Sequence, residues 1–556
     1  MKFFGKLYLM FSFSILLGAC NYLDFDESVG KSEDYMYGYF DEAKKLVSHI
    51  YGQLPSDWGT IDGALRECAT DNAIHVWSDS DIYGMVNGSW SPVNPIDDVW
   101  GKYYSAIRSA NLFLETFSLD NFDKFDQNED YPQLIEIASL YPYEVRFLRA
   151  FFYFELAKRY GNIPLITDVL TEEQANEVEQ TDFDEVISFI CQECDEIKDE
   201  LPVSYSNLPQ AETGRITKGA CMALKSRATL YAASPLFNKS NNMQKWQKAV
   251  DAAWELISWN QKENIYQLVK DEVKWGNGND ALKSKQLILE CRGGESNEFE
   301  KKNFPIGYEG GNTGTCPSQN LVDAFEYNNS LFDWGKDNHV QGIYSSMRDA
   351  RLAQTVLYNG SIWKGQPVET FYNGRNGQPL FAATLTGYYL KKYVDSSISF
   401  SVNNTTKKPH HYILFRYAEV LLNYAEALWK LKGNANYTDA VYSLSPSDAI
   451  NEVRKAAGAS SLPVAMTPEK FEFRLRNERR VELAFEDHRF WDIRRWMIGP
   501  ETADIYGIEI TLKPDGGYDY RKVLVEKRRW DDKMYLYPIS QSEILKNKKL
   551  VQNPGW

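Results

Sequence analysis

The sequence is poor in three things. Its 556 residues include only six histidines and seven cysteines, and its 61 Lys and Arg fall short of 77 Asp and Glu, leaving a formal charge of −16. A surface of that sign repels phosphate backbones and anionic lipid, which argues against nucleic-acid binding and against adhesion through a basic patch. The cluster Lys527, Arg528, Arg529 is too short to reverse this and reads as a solvated face. Catalytic signatures are also missing: there is no His-Glu-x-x-His, no Gly-x-Ser-x-Gly and no phosphate-cradling Gly-x-x-x-x-Gly-Lys-Ser/Thr. Beyond the leader, no apolar run reaches the roughly 18 residues that would span a bilayer.

Few cysteines means few redox or metal options. Cys191 and Cys194 have redox spacing, yet they fall inside a 3.6-period pattern whose buried stripe is Phe183, Val186, Ile187, Ile190, Cys194, Ile197 and Leu201. A reactive pair belongs at a helix N-terminus, where the thiolate is stabilised, so core packing is expected. No second pair at zinc spacing follows. His410 and His411 adjoin an expected helix start, where packing or solvent is their expected surrounding. Asp79, Asp81 and Gly84 resemble a calcium loop but lack its remaining ligands. Neither a metal nor a cofactor is expected.

The N-terminus carries a definite signal. Lys2 and Lys6 precede an apolar run from 7 to 17, then Leu17-Gly18-Ala19-Cys20. This is a leader over 1–19 ending in a lipobox, with Cys20 acylated as the first mature residue. Several acyl chains on one residue give stable anchoring. Asn21 supplies no inner-membrane retention signal, so the expected destination is the outer membrane, with the body facing outward as a tethered soluble domain.

Helical periodicity dominates the mature body. Ala43, Leu46, Val47, Ile50, Tyr51 and Leu54 lie on one face of a first helix. Further helices are predicted over 98–119, 141–160, from a capped start at Thr181–Asp184, and as pairs over 218–233 with 246–258 and 412–432 with 447–457. In Arg149-Ala150…Tyr153, Arg227-Ala228…Tyr231 and Tyr417-Ala418…Tyr424-Ala425, a small residue precedes an aromatic by about one turn, a pattern that resembles tetratricopeptide helix pairs. The texture changes between 275 and 390, where 15 of the 35 glycines fall. Short strands are predicted at 287–290 and 388–393. The expected fold is therefore mainly α: a tetratricopeptide-like helix-pair superhelix over about 34–260 and 410–500, with a loop-rich, partly β insertion over 261–409 and a tail over 501–556.

Several motifs then occur in a fixed order. They are Tyr22-Leu23-Asp24 after the lipobox; Glu144-Val-Arg-Phe-Leu-Arg-Ala150; Tyr160-Gly161 with Ile163-Pro164-Leu165; and Phe415-Arg416-Tyr-Ala-Glu-Val-Leu-Leu422 with Tyr424-Ala-Glu-Ala427. After these come Asn477-Glu-Arg-Arg-Val-Glu-Leu-Ala-Phe-Glu486, Arg489, Asp492, Arg495-Trp496, Tyr537-Pro538-Ile539, Glu543-Ile544 and Gln552-Asn-Pro-Gly555. Together they resemble the SusD/RagB family over nearly all of 20–556. The resemblance implies a non-catalytic surface lipoprotein that captures oligosaccharide or polysaccharide. Such a protein acts as a hinged lid for a SusC-like, TonB-dependent outer-membrane transporter. RagB-like relatives imply peptide as the alternative ligand; a glycoside hydrolase is a third reading, which 77 acidic residues leave untested by spacing alone.

The stretch from Asn477 to Arg495 is dense in charge. Glu472–Arg476, Arg474–Glu478 and Arg479–Glu482 fall at helical spacing, which predicts a surface ion-pair network rather than an active site.

The remaining excess is aromatic: 14% of the chain. Flat Trp and Tyr faces suit the C–H patches of sugar rings, while amides, carboxylates and guanidinium groups suit their hydroxyls. Asp71, Asn72, His75, Trp77, Tyr83, Asn87, Trp90 and Asn94 have this composition on one loop stretch, and the resemblance places ligand contacts in that region. Asp71, Asn72, Trp77, Tyr83, Trp90 and Asn94 are thus the expected glycan-binding residues, with Trp77 and Trp90 alternatively pinning the loop to the scaffold. Trp334, Trp363, Tyr372 and Arg375 in the insertion form a second rank.

Overall fold

The computed structural model describes residues 32–269, 277–337 and 343–556; the leader and Cys20 lie outside the described residues. The helices that build the scaffold are α1 (Phe40–Tyr51), α2 (Trp100–Thr116), α3 (Tyr141–Tyr160), α4 (Phe183–Ile197), α5 (Lys218–Ala233) and α6 (Met243–Glu263). After the insertion come α7 (Tyr417–Lys432), α8 (Pro446–Ala456), α9 (Pro468–Glu482) and α10 (Arg489–Arg495). From α2 to α8 each packs on the next, and α9 also packs on α7. This is a tetratricopeptide-like stack, in which no pair could bury its apolar face alone.

Local chemistry sets the helix limits. Asp182, Ser445 and Thr467 cap α4, α8 and α9 through side-chain oxygens that accept backbone N–H groups. Gly433 ends α7 in the left-handed conformation, φ 63°. Helix α3 is apolar on more than one side and is buried without interruption from Phe147 to Tyr160, between α2 and α4, its buried charges Arg149, Glu155, Lys158 and Arg159 all held in ion pairs. Cys194 is buried on α4, and Cys191 is half-buried beside it.

One helix start differs from the sequence reading. The segment predicted as helix from 412 opens as a strand, Lys408–Arg416, which pairs antiparallel with Leu287–Ser296. Tyr412, Ile413 and Phe415 are β-branched or aromatic and fit a pleated surface; helix begins only at Tyr417. His410 and His411 therefore sit in a strand rather than at a helix start. A second hairpin, Asp504–Leu512 with Tyr518–Lys527, lies in the tail. The predicted strand at 388–393 is short, Tyr389–Leu390, and pairs with Val356–Leu357.

Helix α9 carries a further correction. Glu472 and Arg476 do pair at 2.6 Å along the helix, but the other charges turn inward to partners far along the chain. Arg474 pairs with Glu326, Arg479 with Asp492, and Glu478 with both Arg351 and Arg454. One unbroken alternation runs Lys392–Glu486–Arg416–Glu482–Arg351–Glu478–Arg454–Glu326–Arg474, with each contact between 2.6 and 2.9 Å. It stitches the insertion to α7, α8 and α9. Spacing along one helix could not reveal this, because the desolvated partners come from other elements.

The C-terminal tail closes over the end of α3. The backbone N–H of Tyr537 donates to the Arg159 carbonyl at 2.7 Å, and the Asn553 amide donates to the Tyr160 carbonyl at 2.9 Å.

Candidate functional site

A short strand, Ala73–His75, pairs antiparallel with Thr315–Pro317 (Ala73 opposite Pro317, His75 opposite Thr315). This places Trp77 just past the strand end, over the loop that precedes Thr315. The Val76 N–H donates to the Gly314 carbonyl at 2.9 Å, and the Trp77 indole N–H donates to the Asn312 carbonyl at 3.0 Å. His75 beneath is buried; burial holds its imidazole down at about 4, so it stays neutral.

Two loops of the insertion meet at this point. The Asn376 amide donates to the Ile306 carbonyl at 2.6 Å, and Thr313 donates through its hydroxyl to the Ala382 carbonyl. Gly307, at φ +87°, lets them touch: a Cβ there would stand 2.5 Å from the Arg375 carbonyl oxygen. The result is a partly exposed row of aromatic and cationic groups, in which Trp77, Tyr308 and Arg375 are half-buried. Phe381, 82% exposed, meets the Trp77 ring edge-on with centroids 5.7 Å apart. The Arg375 guanidinium lies 5.4 Å from the Tyr308 ring and donates to Gln366 and to the Pro367 carbonyl. Tyr372, 59% exposed, is held at the tail hairpin by its backbone N–H, which donates to Ile510 at 2.9 Å.

The remaining first-rank candidates lie elsewhere. Asp71 is buried between Arg489 (2.9 Å) and Arg480 (3.0 Å); burial pushes its carboxyl up, but the two guanidinium groups prevail and hold it at about 2. Asn72, also buried, accepts from Arg480 at 2.7 Å and donates to Glu67 at 3.0 Å. Trp90 is 1% exposed, wedged edge-on against Tyr537 and Trp556. No ring face is left for a sugar, and the indole instead anchors the loop to the tail closing α3. The half-buried Tyr83 donates its hydroxyl to the His75 carbonyl. Asn94 closes an exposed turn with Ser91, which the tail clasps where the Gln541 N–H donates to Pro92.

Of the second rank, Arg375 and Tyr372 belong to the partly exposed row. Trp334 is half-buried and donates to Asp323 at 3.0 Å, and Trp363 is 3% exposed, its ring edge-on to Phe304 at 5.8 Å. Phe381 and Tyr308 were missed. Their only sequence signal is an aromatic beside the turn residues Gly307, Gly377 and Pro379. Among the described residues no group of three or more His, Cys, Asp or Glu is placed to hold a metal ion.

This geometry offers stacking faces with a few hydrogen-bonding groups on loops over a rigid scaffold, which is the arrangement of a recognition surface. Known proteins give it a context. The profile of the SusD family matches residues 278–556, and a profile described as "Starch-binding associating with outer membrane" matches 31–230. SusD-like protein P25 of Formosa agariphila is 24% identical over 467 residues, covering 81% of this chain and 80% of that protein. A SusD-like protein of Bacteroides fragilis is 26% identical with a TM-score of 0.76, over 95% of this chain and 99% of its own. A SusD-like carbohydrate binding protein of the same organism is 25% identical with a TM-score of 0.72, over 93% and 100% of the two chains. The order of the helix pairs, the inserted loops and the two profile matches lead to one assignment: the chain belongs to the SusD family.

Proposed function

We propose that this protein is a non-catalytic, surface-associated glycan-binding protein of the outer membrane, which delivers oligosaccharide to a SusC-like, TonB-dependent transporter. The observation that carries the reading is the pair formed by half-buried Trp77 and exposed Phe381, beside Tyr308, Arg375 and Tyr372. Aromatic faces gain from covering the C–H patches of a pyranose, and the guanidinium and neighbouring backbone groups satisfy its hydroxyl edge. No bond is made or broken. The work done is concentration of ligand at the transporter mouth. Family membership supports a binding rather than a catalytic role, and a relative described as a carbohydrate binding protein supports the ligand class. Cys20 supplies the lipid anchor. Asp71, Asn72 and Trp90 act by holding the loop that carries Trp77.

Affinity gels cast with neutral polysaccharides, run with the soluble form lacking residues 1–20, test the reading directly. Retardation by at least one polysaccharide, reduced by Trp77→Ala, is expected. A wild-type protein that no polysaccharide retards but a peptide library does would refute it.

A further inference from the structure

The hairpin Ile362–Trp363 with Gln366–Pro367 touches more than the partly exposed row. Gln366 and Pro367 hold Arg375, while Trp363, which pairs with Gln366 across the turn, lines a separate cleft of about 690 Å³. That volume lies within the range of small-ligand pockets, about 300–1,000 Å³. Two buried polar atoms of its lining have no partner among the described residues: the Trp363 indole N–H and the Asn277 side-chain carbonyl oxygen. Both are costly to leave unsatisfied, and a donor and an acceptor on one cleft suit a ligand that offers both kinds of group.

The rest of the lining has the same mixed character. Lys391 donates one N–H to the Ala353 carbonyl at 2.6 Å and keeps others, Lys408 pairs with Asp395 at 2.9 Å, and the half-buried Gln354 amide makes no hydrogen bond among the described residues. Lys408 is matched by Asp395, and Asp280 pairs with Lys283 at 2.8 Å, so both carboxylates of the lining are engaged by near neighbours. An indole N–H with amide, ammonium and carboxylate groups around it matches a polyhydroxylated ring better than an apolar segment.

We infer that this cleft is a second glycan subsite, which takes a short stretch of oligosaccharide and is joined to the partly exposed aromatic row by one hairpin. This rests on the glycan reading above. Its consequence is a dependence on ligand length: a chain long enough to occupy both places gains effective concentration at the second once the first is filled.

Calorimetry on the soluble form lacking residues 1–20 tests it, with tri- and decasaccharides of glucose, mannose and xylose as probes. Wild-type protein is expected to bind the decasaccharide of its preferred sugar at least tenfold more tightly than the trisaccharide. Gln354→Ala, and separately Trp363→Phe, which keeps a ring but removes the N–H, should erase that gain and leave the residual Trp77-dependent affinity intact. A length gain that survives both variants, or no gain in the wild type, overturns the subsite while leaving the glycan reading in place. Failure of the wild type to bind any of these sugars, with a polysaccharide gel equally negative, overturns both.

Discussion

Trp77 and Trp90 stand thirteen positions apart on one loop stretch, and the structure gives them opposite fates, so replacing each by alanine separates binding from folding. Stacking a pyranose on Trp77 would cover about 70 Å² of apolar ring face, worth about 2 kcal/mol at roughly 25 cal/mol/Å². Trp77→Ala should therefore weaken oligosaccharide binding about 20-fold. Its folding cost is small, because a half-buried ring and one hydrogen bond to the Asn312 carbonyl are lost where water can replace them. Trp90→Ala instead removes a fully buried indole from between Tyr537 and Trp556, which costs about 3–5 kcal/mol. With an unfolding entropy of about 2.1 cal/mol/K per residue, that is a fall in Tm of roughly 3–4 °C for a chain of this length. Thermal melts and calorimetry at 20 °C, where both variants remain folded, decide the matter. A Trp90→Ala protein that melts like the wild type but has lost its ligand, beside a Trp77→Ala protein that binds normally, would refute the assignment.

Four further outcomes are expected. Glu478→Ala should destabilise the fold by about 3–5 kcal/mol in urea unfolding, since Arg351 and Arg454 both lose a buried partner. Burial raises the Glu67 carboxyl to about 7 despite hydrogen bonds from Asn72, Phe485 and Thr70, so the native state holds a proton that the unfolded chain releases near its ordinary value of 4.5. That contribution to stability is complete below pH 4.5 and lost as pH rises towards 7; Glu67→Gln should flatten this slope in chemical denaturation series between pH 4.5 and 7.5. Gly307→Ala, forced to φ +87° with its Cβ against the Arg375 carbonyl, should cost about 1–3 kcal/mol in thermal stability and also weaken sugar binding by shifting Arg375. Cys20→Ala should move the protein from the outer-membrane fraction to soluble material, as read by fractionation and immunoblot.

The scaffold was legible because a 3.6-residue period survives wherever one face of a helix is buried. The stretches Phe40–Tyr51 and Phe183–Ile197 carry it, whereas Tyr141–Tyr160 and Lys218–Ala233 are buried nearly all round and are legible as long runs rich in apolar and small residues. The Tyr412–Arg416 segment misled because a short apolar run satisfies strand and helix alike, and only its partner, Leu287–Ser296, decides between them. The candidate surface was harder to read. Trp77 and Trp90 have the same side chain in similar company, and burial by Trp556, more than 460 residues away, leaves no local trace. Phe381 and Tyr308 become neighbours of Trp77 and Arg375 only through loop-to-loop hydrogen bonds such as Asn376 to Ile306 and Thr313 to Ala382. The charges of α9 announced a network but not its direction, because periodicity reports which face a residue occupies and says nothing of what lies opposite.

The alternating chain from Lys392 to Arg474 bears on how the protein meets its surroundings. Mobile ions have little access to a sequence of contacts mostly buried from water, so screening that acts over about 8–10 Å in physiological solution has little hold on it. The formal charge of −16 is a different matter, since exposed carboxylates are open to every counter-ion. Salinity can thus modulate how readily charged molecules approach the surface, while the junction that sets the loops against the helices stays deaf to it. A cell-surface protein exposed to a changing medium keeps its shape and lets only its long-range field vary.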